Sequence, residues 1–394
     1  MILIGLNAHH ADSSASIFKD GILIAATEEE RFRRIKHWAG FPSMAIQFCL
    51  NEAGVSLSQV DYISIGRDPK AKFWAKVKFV VKNLGKKNTL LADRLNNSKK
   101  IASIESELAA LSGLEESEIK RKIINVEHHR SHLASAFFAS PFNEAAILSI
   151  DGSGDFTTTM IAVGKGNQIE VIDSLDFPVS AGLFYTAFTQ YLGFPHYGDE
   201  YKVMGLAPYG KPVFADQVRQ ILQFKENGLF GWDAEYFSNI TEIKLDYSTN
   251  VPIISTLFGK KMVETFGPAR QPADELTQQH KDLAASVQLV CEELILHILT
   301  HLQKRTGLKN ICIAGGVAQN SVANGKIIEK TAFENLYIPS AGHDAGISMG
   351  SALYAYNHLL QQHRAPAVFS AYTGSKFSNE EIEKFLTERG VNYQ

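Results

Sequence analysis

The chemistry in this sequence gathers around residues 127–155. Glu127-His128-His129-Arg130-Ser131-His132 holds two histidines, His128 and His132, four residues apart. On a helix that spacing stacks both imidazoles on one face, where they can reach one metal ion. The apolar run Ala145-Ala146-Ile147-Leu148-Ser149-Ile150 follows and reads as a buried strand. It delivers Asp151 to a strand end, where Asp151-Gly152-Ser153-Gly154-Asp155 makes a tight, bare loop. Two neutral nitrogens and a carboxylate suit a divalent transition ion such as iron, zinc or manganese. Backbone amides of the same loop could hold phosphate. Histidines at this spacing also serve as polar surface or as hydrogen-bonded core groups.

Other candidates lie further along. Gly315-Gly316-Val317-Ala318-Gln319-Asn320 joins the strand Asn310–Ala314 to a helix, where glycines let a nucleotide approach the backbone. In Gly342-His343-Asp344-Ala345-Gly346, Asp344 stands at a helix start, either as a cap, its ordinary role, or as a further metal ligand. Lys36 and His37, before Trp38-Ala39-Gly40-Phe41-Pro42, are candidates to face a cleft, although their charged surroundings also suit a solvated connector. Residues 193–210 combine Gly, Pro and aromatic residues with Asp199, Glu200 and Lys202, the material of a site loop. Residues 67–100 are strongly basic, and a solvated amphipathic helix explains them more simply than an anionic partner does.

The elements that must position these groups follow one plan twice. Ile2–Asn7, Ser14–Phe18 and Ile22–Thr27 read as strands, separated by a polar loop and an Asp20-Gly21 turn. Ala145–Ile150, Thr157–Val163 and Ile169–Leu175 repeat that order, with the polar loop Asp151–Asp155 and a turn at Gly164–Gly166. Two such units predict an α/β fold of two facing lobes, the plan of the actin, sugar-kinase and heat-shock-ATPase superfamily. That likeness fixes no function. The lobes are expected at 1–140 and 141–362, with an insertion at 226–272 and a linker with the start of a truncated C-terminal domain at 363–394. Ser43 is expected to cap a helix reaching about Ala53, and Asp274–Arg305 to form a long core helix closed by Gly307.

The 394 residues are 45% hydrophobic and 21% charged, ordinary globular values. The net charge of −3 argues against a general nucleic-acid binder. Cys49, Cys291 and Cys312 are scattered and suit a reducing compartment. With no leader pattern and no apolar segment expected to span a bilayer, the reading is a soluble, cytoplasmic protein. A homodimer is compatible with the sequence.

The ordered set Asn7–Ala15, Glu28–Phe41, Glu127–His132, Asp151–Asp155, Tyr201–Gly210, Gly315–Asn320 and His343–Gly346 resembles the ATP-dependent O-carbamoyltransferases of nodulation-factor and antibiotic tailoring. The N-terminal domain of that family is similar to tRNA threonylcarbamoyl-transfer enzymes. The resemblance implies a metal, usually iron, held by His128, His132, Asp151 and Asp344. It implies carbamoyl phosphate, ATP with Mg2+, and a carbamoyl adenylate as donor to a small hydroxylated acceptor. Asp151, Gly152, Gly154, Gly315, Gly316 and Asn320 would bind the nucleotide. His10 and Asp12 would lie near the reacting group, with Lys36 and Lys202 as weaker candidates. The alternatives from the residues are an ATP-dependent small-molecule kinase and a nucleotide-binding module.

Overall fold

The computed structural model describes residues 1–83, 104–239, 243 and 245–393. Lys86, Lys87, Arg94, Lys99 and Lys100 of the basic stretch lie outside the described residues. Strands β1 (Ile2–Asn7), β2 (Ser14–Lys19) and β3 (Ile22–Glu28) form an antiparallel meander. Two parallel strands, β4 (Tyr62–Ile65) and β5 (Ile123–Asn125), extend it to the order β3-β2-β1-β4-β5. The second sheet repeats this. Strands β6 (Glu144–Gly154), β7 (Thr157–Lys165) and β8 (Gln168–Asp176) form the meander, and Asn310–Ala314 and Asn335–Tyr337 add in parallel beside β6. The duplication expected from the pattern is therefore present in the pairing itself. The fold is α/β with two sheets of like topology.

The expected strand starts and turns hold closely, with one instructive difference. β6 does not stop at Ile150. It runs to Gly154 through a bulge, as pairing steps from Ile150 opposite Thr159 to Gly154 opposite Thr157. The turn itself falls on Asp155 and Phe156, at φ 48 and 80. Asp151 thus sits in a bulged strand rather than a free loop.

Two helices cross between the sheets. The histidine helix (His128–Phe137) packs on the second sheet, with Leu133, Ala134 and Phe137 among Ala145, Ile147, Ala162 and Cys312. Gly164 lies under it, since a Cβ there would come within 2.5 Å of the Phe137 ring. Burying a side chain of this size contributes about 1.5–3 kcal/mol. The helix Ile347–Leu353 packs instead on the first sheet, where a Cβ on Gly5 would meet the Ser348 carbonyl at 1.9 Å. The two helices touch at Gly350, whose missing Cβ would sit 1.9 Å from the Ser131 carbonyl. This close crossing sets the metal-ligand candidates of both segments side by side.

The long helix Gln278–Thr306 buries its expected stripe of Leu283, Val287, Val290, Leu294 and Ile298 and ends at left-handed Gly307. By length and composition it is apolar enough to cross a bilayer, contrary to the sequence expectation, but 67% of that window is packed inside the fold. The helix Ser43–Ala53 also differs at its start. Ser43 is its first residue, not its cap, and the carboxylate of Glu29 accepts the N–H groups of Met44 and Ala45 at 3.3 and 2.8 Å.

Candidate metal centre and its cleft

Three segments meet at the end of β6. The histidine helix begins there, capped by its own Glu127, which accepts the Arg130 N–H at 2.8 Å. Asp155, on the turn after β6, accepts the N–H of His128 at 3.0 Å and of Asp68 at 2.8 Å. Gly154 leaves room for the His128 ring, which a Cβ would meet at 2.1 Å. The helix start and the strand end are thus locked together.

His128 Nε2 lies 3.3 Å from Asp151 Oδ2 and 3.4 Å from Asp344 Oδ1. His132 Nε2 lies 3.6 and 3.5 Å from the same two oxygens. One ligand atom from each residue falls within 4.8 Å of the others, and all four residues are buried. His132 Nε2 and Asp344 Oδ1 have no hydrogen-bond partner. Buried polar atoms without partners are costly. Two nitrogens and two carboxylate oxygens converging on one point have the number and type of donors a divalent transition ion takes. The residues fit such an ion.

Electrostatics agree. Burial opposes charge on Asp151 and Asp344, yet the neighbouring histidines hold both carboxyls well below the usual carboxylate range. Burial likewise opposes charge on His132, yet the two carboxylates push it up to about 9. A bound cation would balance the same two carboxylates. His129, by contrast, is spoken for: Nε2–H donates to the Thr157 carbonyl at 2.9 Å, and Nδ1 accepts from Ser149 at 2.7 Å. Asp344 does not cap its own turn; its side chain is committed to the cluster.

The cluster borders a cavity of about 380 Å³. That lies in the range of small-molecule sites. On the first-lobe side, Asn7 Nδ2 holds the loop after β1 by donating to the carbonyls of Ala11, Asp12 and Asp344, at 2.8, 3.1 and 3.1 Å. His10 from this loop faces the cavity with Nδ1 3.0 Å from Asp344 Oδ2. On the second-lobe side Asp151, Gly152, Gly316 and Asn320 line it. The space beyond Gly152 is open, and a Cβ there would meet nothing within 4 Å.

The sequence model of the family described as "Carbamoyltransferase N-terminus" matches residues 2–353. The chain belongs to this carbamoyltransferase family. An uncharacterised protein of Synechocystis is 39% identical over 98% of this chain and 62% of its own length. The nodulation protein NolNO of Sinorhizobium fredii is 35% identical over 98% of this chain and 52% of its own length. The chain thus spans about half to three-fifths of these two relatives. Among solved structures, component A of (R)-2-hydroxyglutaryl-CoA dehydratase from Acidaminococcus fermentans is 15% identical, with a TM-score of 0.45, covering 91% of this chain and 99% of that one. The ROK hexokinase of Thermus thermophilus is 13% identical, with a TM-score of 0.44, covering 92% and 100%. Likenesses this loose carry no argument about function.

In this chain the remaining site candidates divide. Lys36 points to solvent with its side chain 85% exposed, paired with Glu30 at 3.3 Å, and does not line the cavity. A left-handed turn at Arg34 and another at His37 swing it outward while His37 turns in. Lys202 is tied to Asp199 at 2.6 Å and also stays off the cavity lining. Gly154 serves the His128 ring rather than the cleft. The Gly316 N–H is taken by Asp151 Oδ1 at 2.9 Å, and Gly315, at φ 105, makes the turn. Asn320 lines the cavity, but its amide is engaged with Gln288 and with the Ala323 N–H.

Several lining residues were not singled out from sequence. Tyr197 and Tyr201 come from the 193–210 loop, whose Glu200, named from the sequence, also lines the cavity. Ile243, Leu245, Tyr247 and Ile254 come from the expected insertion, which bounds the cavity. Tyr247 stands 6.3 Å from the His10 ring. No local motif marks these residues; only their return to the cleft does.

Proposed function

We propose that this chain transfers a carbamoyl group from carbamoyl adenylate to the hydroxyl of a small acceptor. The donor would be made from carbamoyl phosphate and ATP with Mg2+. The observation that carries the reading is the buried cluster of His128, His132, Asp151 and Asp344 at the edge of a cavity, in a chain matched by the family along residues 2–353. Those four residues would hold a divalent ion, iron being the family's usual one. When bound, such an ion supplies Lewis acidity toward a carbamoyl oxygen.

The chain's own groups do the rest. The open face at Gly152 admits the nucleotide's phosphate side, and the wall at Gly316 and Asn320 takes the nucleoside side. His10 stands on the opposite wall beside Asp344, where it can orient the reacting group. The insertion residues Leu245 and Tyr247 shield the cavity from water, which favours transfer over hydrolysis. The test is to supply carbamoyl adenylate with methanol as a hydroxyl probe. The expected products are AMP and methyl carbamate, and a kinase given ATP would form ADP instead. Full transfer by a metal-free His132→Ala variant would contradict the scheme.

A further inference from the structure

The family resemblance offers His10 and Asp12 near the reacting group, with Lys36 and Lys202 as weaker candidates, and geometry sorts them. Both lysines are paired away from the cavity. His10 is drawn to Asp344, a residue of the metal cluster. Of these Asp12 remains on the cavity wall, and His37 lines the wall beside it.

Asp12 Oδ1 lies 2.7 Å from His37 Nδ1. An ionised carboxylate only accepts, so Nδ1 carries the hydrogen and Nε2 keeps the lone pair. The His37 backbone N–H is gripped in turn by Glu30 Oε2 at 2.8 Å. Asp12 and His37 both sit in the left-handed region, at φ 55 and 56. That backbone costs an L residue energy, which the surrounding bonds must offset. Tyr197 packs edge-on against the ring, with centroids 5.2 Å apart. Gly198, at φ 82, makes room for the ring, since a Cβ there would fall 2.3 Å from Nε2. Glu30, the third member of this group of metal-type donors, is turned instead to the His37 backbone N–H and to Lys36.

We propose that His37, oriented by Asp12, accepts the proton of the attacking hydroxyl. This rests on the reading of the cleft as a carbamoyl-transfer site. The acceptor O–H proton passes to His37 Nε2, and the oxygen electron pair forms the bond to the carbamoyl carbon. The bond from that carbon to the phosphate oxygen breaks, and AMP leaves with the electron pair. The imidazolium then returns its proton to solvent. Asp12 acts as a positioning residue.

The groups facing His37 are Asp12, Glu30, Lys36, Tyr197 and Glu200. Burial works against a charged ring, but the bond and charge of Asp12, helped by Glu30, outweigh it and raise the His37 pKa above its ordinary value. The base must be neutral, so the rate should climb with pH through that raised value and then level off.

The experiment follows AMP and methyl carbamate formation by the full chain from carbamoyl adenylate and methanol, as a function of pH. His37→Ala should lower transfer by about 100-fold or more and lose the acid limb, and added imidazole should restore part of the rate. His37→Gln should lose as much, so that a folding defect in one variant does not decide the matter. Asp12→Asn should lower the rate less and move the acid limb downward. Nitrogen NMR should find the neutral His37 proton on Nδ1. If wild type forms both products while both His37 variants keep its rate and acid limb, the inference is overturned and the transfer reading stands. A neutral ring protonated on Nε2 overturns it too. If wild type forms neither product, the transfer reading falls and takes the inference with it.

Discussion

The turn between β1 and β2 and the turn between β6 and β7 hold the same place in two sheets of one topology. They have diverged in what they do. The first is a loop held by side chains that donate to backbone carbonyls: Asn7 Nδ2 to those of Ala11, Asp12 and Asp344, and Ser13 Oγ to those of His10 and Gly40, at 3.0 and 2.7 Å. It presents His10 and Asp12 toward the cavity. The second is a bulged strand whose Asp151 joins two histidines from a helix and Asp344 from a distant turn. One copy places groups suited to moving protons, the other groups suited to holding an ion. Duplication supplies two symmetric positions at a cleft, and under the proposed reaction the side chains placed there divide the labour.

Variants can break or sharpen this contrast. The largest effect is expected at the ion cluster. His132→Ala should remove bound metal and lower transfer by more than the roughly 100-fold that loss of an outer-shell partner can cost. Metal analysis alongside the methanol assay reads both. Next comes Gly154→Ala. Its Cβ would collide with the His128 ring at 2.1 Å, so metal affinity should fall about 10- to 100-fold. Gly152→Ala, whose Cβ meets nothing, should keep the metal and weaken the nucleotide instead. Equal metal loss in both variants would dissolve the distinction between the two glycines. In the first turn, Asn7→Ala should cost about 1–3 kcal/mol in urea unfolding, because buried carbonyls lose their donor. Lys36→Ala should be smallest, within about 0.5 kcal/mol and with unchanged transfer. A large loss of activity there would restore the lysine to the cleft.

Much of this was legible because it is local. Alternation and the Asp20-Gly21 and Gly164–Gly166 turns place β1–β3 and β7–β8 within a residue or two. The paired histidines announce themselves by helical spacing. β4 and Asn335–Tyr337 were not expected, being too short for a period to register. The carboxylate that starts the helix Ser43–Ala53 is Glu29, fourteen positions before Ser43 in sequence, so local capping logic chose Ser43 instead. Asp344 looks like a cap to its neighbours and becomes part of the cluster only once two crossing helices bring it to His128 and His132. Lys36 and His37 are adjacent yet face opposite ways, which follows from left-handed backbone that their side-chain types do not encode.

The most direct test is anomalous diffraction at a metal edge from metal-loaded crystals of the full chain. The account predicts one peak at about 2.0–2.2 Å from both His128 and His132 Nε2 and from oxygens of Asp151 and Asp344. A peak elsewhere with this cluster vacant, or density turning either imidazole away from the two carboxylates, would contradict it.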